Sequence, residues 1–234
     1  MMNEFTTGQI RPIECVKEAW ALIKPDYWIL FAISVVGAMI GGISMYILIG
    51  AMVCGIFNAY LRVIDGRGKA SIDDLWVGFK FFWPSLLLTI VIVVPMVIWL
   101  SVMFVTLYAP ILMAAVMGNN ADQNVILGTF LGGFIIDIIV AVIMICIHSL
   151  LMFAFPLIVD RQLSSWDAMK LSARAVMKNL GGIGGLMAVS FGLALAGELA
   201  FCVGIYLVIP VITATHLVGY RKVFPRQMDA PQLQ

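Results

Sequence analysis

The chain has 234 residues, of which 62% are apolar and only 12% charged, with a formal net charge of +1 and a mean hydropathy of +1.05. Soluble domains are roughly half apolar and about a quarter charged, so a single soluble domain is excluded, because its surface would be largely aliphatic. Nucleic acid is excluded as a partner by the lack of a concentrated basic face.

The composition predicts an all-α, polytopic transmembrane protein. From the N-terminus, Met1–Gly8 is polar and carries no Lys or Arg, and the first apolar run begins only near Tyr27, which does not read as a cleavable signal peptide. The basic residues then fall into four blocks: Arg11, Lys17 and Lys24; Arg62, Arg67, Lys69 and Lys80; Arg161, Lys170, Arg174 and Lys178; and Arg221, Lys222 and Arg226. Apolar stretches from Tyr27 to Leu61, Phe81 to Val159 and Leu180 to Tyr220 separate them. Basic flanks stay cytoplasmic, so each stretch leaves and returns to the same side.

The expected architecture is therefore six spans arranged as three hairpins, with both termini cytoplasmic and the chain in a bacterial inner membrane. Residues 1–10 read as a polar segment, 11–222 as one membrane domain with repeat units 11–61, 71–158 and 164–220, and 223–234 as a flexible cytoplasmic tail. Gly41 and Gly42 mark the first outer turn, and Gly197 with Glu198 marks the last. The middle turn is the polar run containing Gly118, Asn119, Asn120, Asp122, Gln123 and Asn124. Each half of that middle stretch exceeds the ~20 residues one span needs. The bilayer portions are placed near Phe81–Leu100 and Ile138–Ile158. The excess, Ser101–Asp137, is expected along the outer interface, in a strong tilt or under a partner, with kinks at Pro95 and Pro110. An eight-span alternative turns near Pro95 and Asp137.

An amphipathic segment precedes each hairpin. Ile13, Val16, Trp20 and Ile23 align with Ile72, Leu75, Phe79 and Phe82, and with Trp166, Met169, Ala173 and Val176; this spacing is one face of a helix. An acid follows the first apolar residue in each copy (Glu14, Asp73, Asp167), and Ser71 with Asp74 or Ser164 with Asp167 can form a capping box. Pro12 fits a first helical turn, and Pro25, Pro84 and Asn179 close the three copies. The unit is a cytoplasmic interfacial helix feeding a hairpin. Its commonest use is to position the spans. In the sharper reading Lys17, Lys170, Arg174 and Lys178 contact lipid headgroups, with Trp20, Trp83 and Trp166 at headgroup depth.

The run Phe155-Pro156-Leu157-Ile158-Val159-Asp160-Arg161, followed by Ser165–Lys170 and Arg174–Asn179, resembles the YciC-like bacterial inner-membrane proteins and the membrane domain attached to some glycerophosphodiester phosphodiesterases. The resemblance is close over about thirty residues, and the hairpin plan extends it over most of the chain. It implies six helices and no established chemistry. The phosphodiesterase catalytic domain has no counterpart here.

Ionisable groups inside a membrane are expensive and each raises a functional hypothesis. His148 falls near the middle of the span Ile138–Ile158, either as a satisfied structural residue or on a proton or solute path. Asp137 is expected at the outer interface, about 16 Å from His148 along one helix. Glu198 reads as a turn carboxylate, and His216 as a headgroup or capping contact at the cytoplasmic interface.

Cys15, Cys54, Cys146 and Cys202 stand apart and read as buried apolar residues, with neither metal nor disulfide spacing. Gly181–Gly185 lacks the lysine of a phosphate loop and reads as close helix packing. The pairs Gly37/Gly41 and Gly128/Gly132 have spacing that fits either a neighbouring helix or a homo-oligomer.

No nucleophile elbow, HExxH, Walker A or dinucleotide motif is present. The sequence thus points to a non-enzymatic membrane protein with no cofactor and no metal, organising phospholipids or serving as an accessory subunit of a larger membrane complex. The alternative is a small-solute or lipid transporter or channel with a path near His148 and Glu198.

Overall fold

The computed structural model describes residues 5–118, 122–199 and 204–226, and is helical throughout with no strand among them. The elements are α1 (Pro12–Ile23), α2 (Tyr27–Ile43), α3 (Ile49–Ile64), α4 (Asp73–Val77), α5 (Phe82–Met117), α6 (Gln123–Leu150), α7 (Ala154–Arg161), α8 (Ser165–Lys178), α9 (Leu180–Leu199) and α10 (Gly204–Val223). Four helical stretches are long and apolar enough to cross a membrane: Pro12–Ile43, Asp73–Met117, Gln123–Arg161 and Leu180–Leu199. The first two are composite. Short 3-10 turns at Lys24–Asp26 and Gly78–Phe81 join α1 to α2 and α4 to α5, so each amphipathic segment runs into the following helix without an extended residue. Proline explains the first junction, because Pro25 has no N–H to give an α-helical bond.

Two compact units arise. The first contains the chain up to Leu88 and from Leu150 onward; the second is Thr89–Ser149.

In the first unit α2 packs on α3, α9 packs on α10, and the amphipathic segments pack in a cyclic pattern. α4 lies against α3, α8 against α7, and α1 against α10. Each segment thus seats on the outgoing helix of the preceding repeat, and the first seats on the last. Glycine permits the closest of these contacts. A Cβ at Gly55 would come 2.1 Å from the Leu75 carbonyl oxygen, and one at Gly78 would come 1.9 Å from that of Ala51, so α3 and the α4 segment touch backbone to backbone.

Gly37 and Gly41 are used inside the chain, against Ile56, Leu75 and Ile49. The first turn falls slightly beyond the expected glycines, at residues 44–48. Met45 and Tyr46 adopt positive φ there, and the Ser44 hydroxyl accepts a hydrogen bond from the Leu48 N–H at 3.1 Å.

In the second unit the helices run unbroken through Pro95, Pro110 and Asp137. The eight-span alternative, which needs turns near Pro95 and Asp137, does not match these continuous helices. At 1.5 Å per residue the 36 residues of α5 extend roughly 54 Å and the 28 of α6 roughly 42 Å, beyond a ~30 Å hydrocarbon core. α5 and α6 meet where Gly133 faces Thr106. No atom lies within 4 Å of a Cβ built at Gly128 or Gly132, so that pair is not used by a neighbouring helix among the described residues.

Candidate lipid-facing surface and its anchoring network

The amphipathic segments are two-sided. In α1 the buried residues are Cys15, Ala19 and Ile23, while Ile13 and Trp20 stay exposed. In α8 the buried residues are Ser165, Ala168, Leu171, Ser172, Ala175 and Val176, while Trp166 is 64% exposed. Around α4, Leu75 is buried and Ile72, Trp76 and Phe79 are exposed. The aligned apolar stripe is therefore split. Its first residue, Ile13, Ile72 or Trp166, faces out in every copy, and small residues make most of the inner face, because only they allow helices to approach closely.

The expected lipid-contact residues lie on the outer faces. Lys17, Lys170, Arg174 and Lys178 are exposed, and the Lys170 ammonium lies over the Trp166 ring at 5.0 Å. Arg174 and Lys178 line a shallow surface hollow together with Phe5, Ala173 and Met177. Trp83 is exposed at the start of α5. Each expected capping box forms one of its two reciprocal bonds: the Ser71 N–H donates to Asp74 Oδ2 at 3.0 Å, and the Asp167 N–H donates to Ser164 Oγ at 3.2 Å.

A charge network ties the ends of the three repeats together. Arg221, at the end of α10, donates from Nε and Nη2 to Asp65 after α3, both at 2.8 Å. It also donates from Nη1 and Nη2 to Asp160 in α7 at 2.7 and 2.6 Å. The Tyr220 hydroxyl adds a 2.7 Å bond to Asp160. Asp65 and Arg221 are almost wholly buried, at 5% and 11% exposure. Burial alone lowers the pKa of Arg221, but hydrogen bonds and charge from Asp160 and Asp65 outweigh it and raise it.

Phe153, Tyr220 and Phe224 pack beneath, with ring centroids 5.2 to 5.9 Å apart. Arg62 pairs with buried Asp74 at 3.1 Å, and Lys222 with Glu18 at 2.7 Å. Sequence reasoning assigned these basic residues to orientation and missed the network, whose sequence trace is an acid ending two repeats and an arginine ending the third.

The chain ends join the same scaffold. The Thr6 hydroxyl donates to the Lys222 carbonyl, the Thr6 N–H donates to Val223 O at 2.8 Å, and Asn179 bridges Gly8, Thr6 and Ala175. Phe224, expected in a flexible tail, is fully buried in the aromatic cluster. The rest of the expected tail, 227–234, lies outside the described residues, as do 1–4, Asn119, Asn120 and Cys202. Gly182 and Gly185 pack on Ile10 and Pro12, which accounts for that glycine-rich run.

The intramembrane candidates do not form one site. His148 is half-buried and its Nδ1 pairs with the Met144 carbonyl one turn back, at 2.8 Å. Asp137 is buried, with Oδ2 accepting from the Thr106 hydroxyl at 2.7 Å and Oδ1 without a partner. It lies four residues after Gly133, on the face that meets α5. Glu198 is exposed near the end of α9, beside Gly197, where the backbone of Gly204 and Ile205 passes within 3.0 Å of a built Cβ. His216 differs from expectation. Its Nε2 pairs with Ser190 Oγ at 2.8 Å between α9 and α10, because α10 continues nearly two turns beyond it to Val223.

Cys15 and Cys54 are buried and Cys146 exposed, all three free. Comparison with protein-family models, curated proteins and solved structures returns no match.

Proposed function

We propose that the chain is a six-span integral membrane protein of a bacterial inner membrane, with both termini cytoplasmic, and that it organises anionic phospholipid on its cytoplasmic face instead of catalysing a reaction. The observation that carries this reading is the two-sidedness of the amphipathic segments. Their small residues pack inward, while Trp20, Trp76 and Trp166 face out alongside Lys17, Lys170, Arg174 and Lys178. Such a face suits the headgroup region, where amphipathic rings and basic groups are both favoured. The hollow lined by Arg174 and Lys178 also has Phe5 and Met177 in its lining, a mixture of cations and apolar side chains that suits a phosphate with an apolar chain attached. The network at Arg221 supports the topology, because residues 65, 160 and 221 meet in one place, as the ends of three hairpins returning to the same side would.

The test is lipid retention by the purified protein. Native mass spectrometry of the wild type should show bound anionic phospholipid in preference to phosphatidylcholine. The triple variant Lys170→Gln, Arg174→Gln, Lys178→Gln should lose that preference, since each basic group near an anionic surface contributes about 1 kcal/mol. Equal retention by variant and wild type would contradict the proposal.

One observation favours a second reading, a conduit for a proton or small solute: buried Asp137, which keeps an unpartnered oxygen in a helix apolar enough to span. Flux in liposomes that is abolished by Asp137→Asn would support it. Absence of flux from wild-type liposomes would remove it.

A further inference from the structure

We infer that a cleft walled by α2, α3 and α10 holds one acyl chain of a membrane lipid. Its volume is about 340 Å³, and Phe31, Ser34, Ala38, Ile56, Ile209 and Thr213 are among the residues that line it. Its walls are almost entirely carbon. The Ser34 hydroxyl is already engaged with the Leu30 carbonyl and the Tyr60 hydroxyl, both at 2.9 Å, so it offers little to a polar guest.

The occupant follows from polarity and size. Water needs two to four polar partners to settle in a cavity, and besides the engaged Ser34 the side chains lining this one bring only the hydroxyls of Thr213 and of Tyr206. A transmembrane helix from a second copy is ~10 Å across, too thick for a space of 340 Å³. At about 30 Å³ for each water-sized group, the volume matches roughly ten methylenes. Met39 and Tyr206, both more than half exposed, stand at its rim. All three walls belong to apolar helices, two of them from the first repeat and one from the third. The medium around them in the proposed placement is acyl chain. The cleft would then be a seat for one chain in a fixed position, distinct from the fluid lipid that wets the outer faces. This goes beyond the headgroup surface and needs only the membrane placement.

The test is photocrosslinking in vesicles of phosphatidylcholine carrying a diazirine midway along one acyl chain, a zwitterionic lipid chosen so that the result does not depend on the basic residues. Peptide mapping of the full-length protein should place crosslinks at residues 34–39 and 206–213 in clear excess over the exposed α9 face at Phe191 and Leu195. Ala38→Trp and Ile209→Trp, made separately on opposite walls, should each remove that excess and leave the α9 crosslinks unchanged, with thermal unfolding showing which variants keep the fold.

Crosslinks spread evenly over all outer faces in the wild type would overturn the inference. So would an undiminished excess in a folded filled variant, or crosslinked dimers with the lipid excluded from these peptides. Loss of anionic-lipid preference with the cleft crosslinks intact, or the reverse, separates the failure of one proposal from that of the other.

Discussion

The two compact units hold themselves together by different means, and the long helices of the second, α5 and α6, are more apolar than the helices of the first, which include the amphipathic α1 and α8. The first unit has backbone contact at Gly55 and Gly78, a buried ion network centred on Arg221, an aromatic cluster under it and a chain start sewn down by Asn179. Among its described residues the second shows a polar contact between Thr106 and Asp137 beside Gly133, and an outer surface of exposed Leu, Ile, Val and Phe side chains. Between helices in lipid there is no hydrophobic driving force, so close packing and polar links must supply the cohesion. The first unit concentrates both, whereas the second leaves most of its surface to the bilayer or to a partner.

This contrast can be broken most sharply at Arg221. Arg221→Met takes the shared cation from Asp160 and Asp65, leaving Asp65 only the more exposed Arg67 at 3.2 Å, and should cost about 3 kcal/mol of stability, as expected when one partner of a buried pair is removed. Thermal unfolding in detergent measures it, and an Arg221→Met, Asp160→Asn, Asp65→Asn combination should recover part of the loss.

Gly55→Ala or Gly78→Ala forces α3 and the α4 segment apart and should destabilise by about 1–3 kcal/mol or more. Gly128→Ala, whose Cβ meets nothing within 4 Å, should be close to neutral. A large effect of Gly128→Ala on the purified protein would show that the open face of the second unit is occupied by a partner, and crosslinking would identify whether it is another copy.

Thr106→Val leaves the buried Asp137 carboxyl without the Thr106 hydroxyl and should cost about 1–3 kcal/mol. The smallest effect is expected at Glu198→Gln, an exposed change at a helix end that should leave unfolding within ~0.5 kcal/mol of wild type.

The sequence made some of this legible and hid the rest for physical reasons. Charge sorting located the apolar stretches, and the oversized middle stretch appears as the long helices α5 and α6, because hydropathy and length are local properties. Capping boxes at Ser71 and Ser164 were readable for the same reason.

The split of the amphipathic stripe was not readable, since Ile13 and Ile23 look alike until one knows which side carries α10. The ion network was hidden because Asp65, Asp160 and Arg221 lie 61 to 156 positions apart in sequence, and each reads singly as an end-of-span charge. The burial of Asp137 was hidden because a length count speaks only of depth, whereas its environment is decided by which face of α6 meets Thr106. His216 was assigned to the interface from its nearness to Arg221, and the contact with Ser190 depends on how α9 and α10 cross.

The central claim is that three hairpins return their ends to one side, where Arg221 joins them. It is tested most directly by accessibility of single cysteines placed at Gly68, Gln162 and Glu198 in a cysteine-free background, labelled by an impermeant reagent from one side of sealed inner-membrane vesicles at a time. The account predicts that positions 68 and 162 label from the cytoplasmic side and 198 from the opposite side. Labelling of 68 and 162 from opposite sides, or of 162 and 198 from the same side, would contradict it.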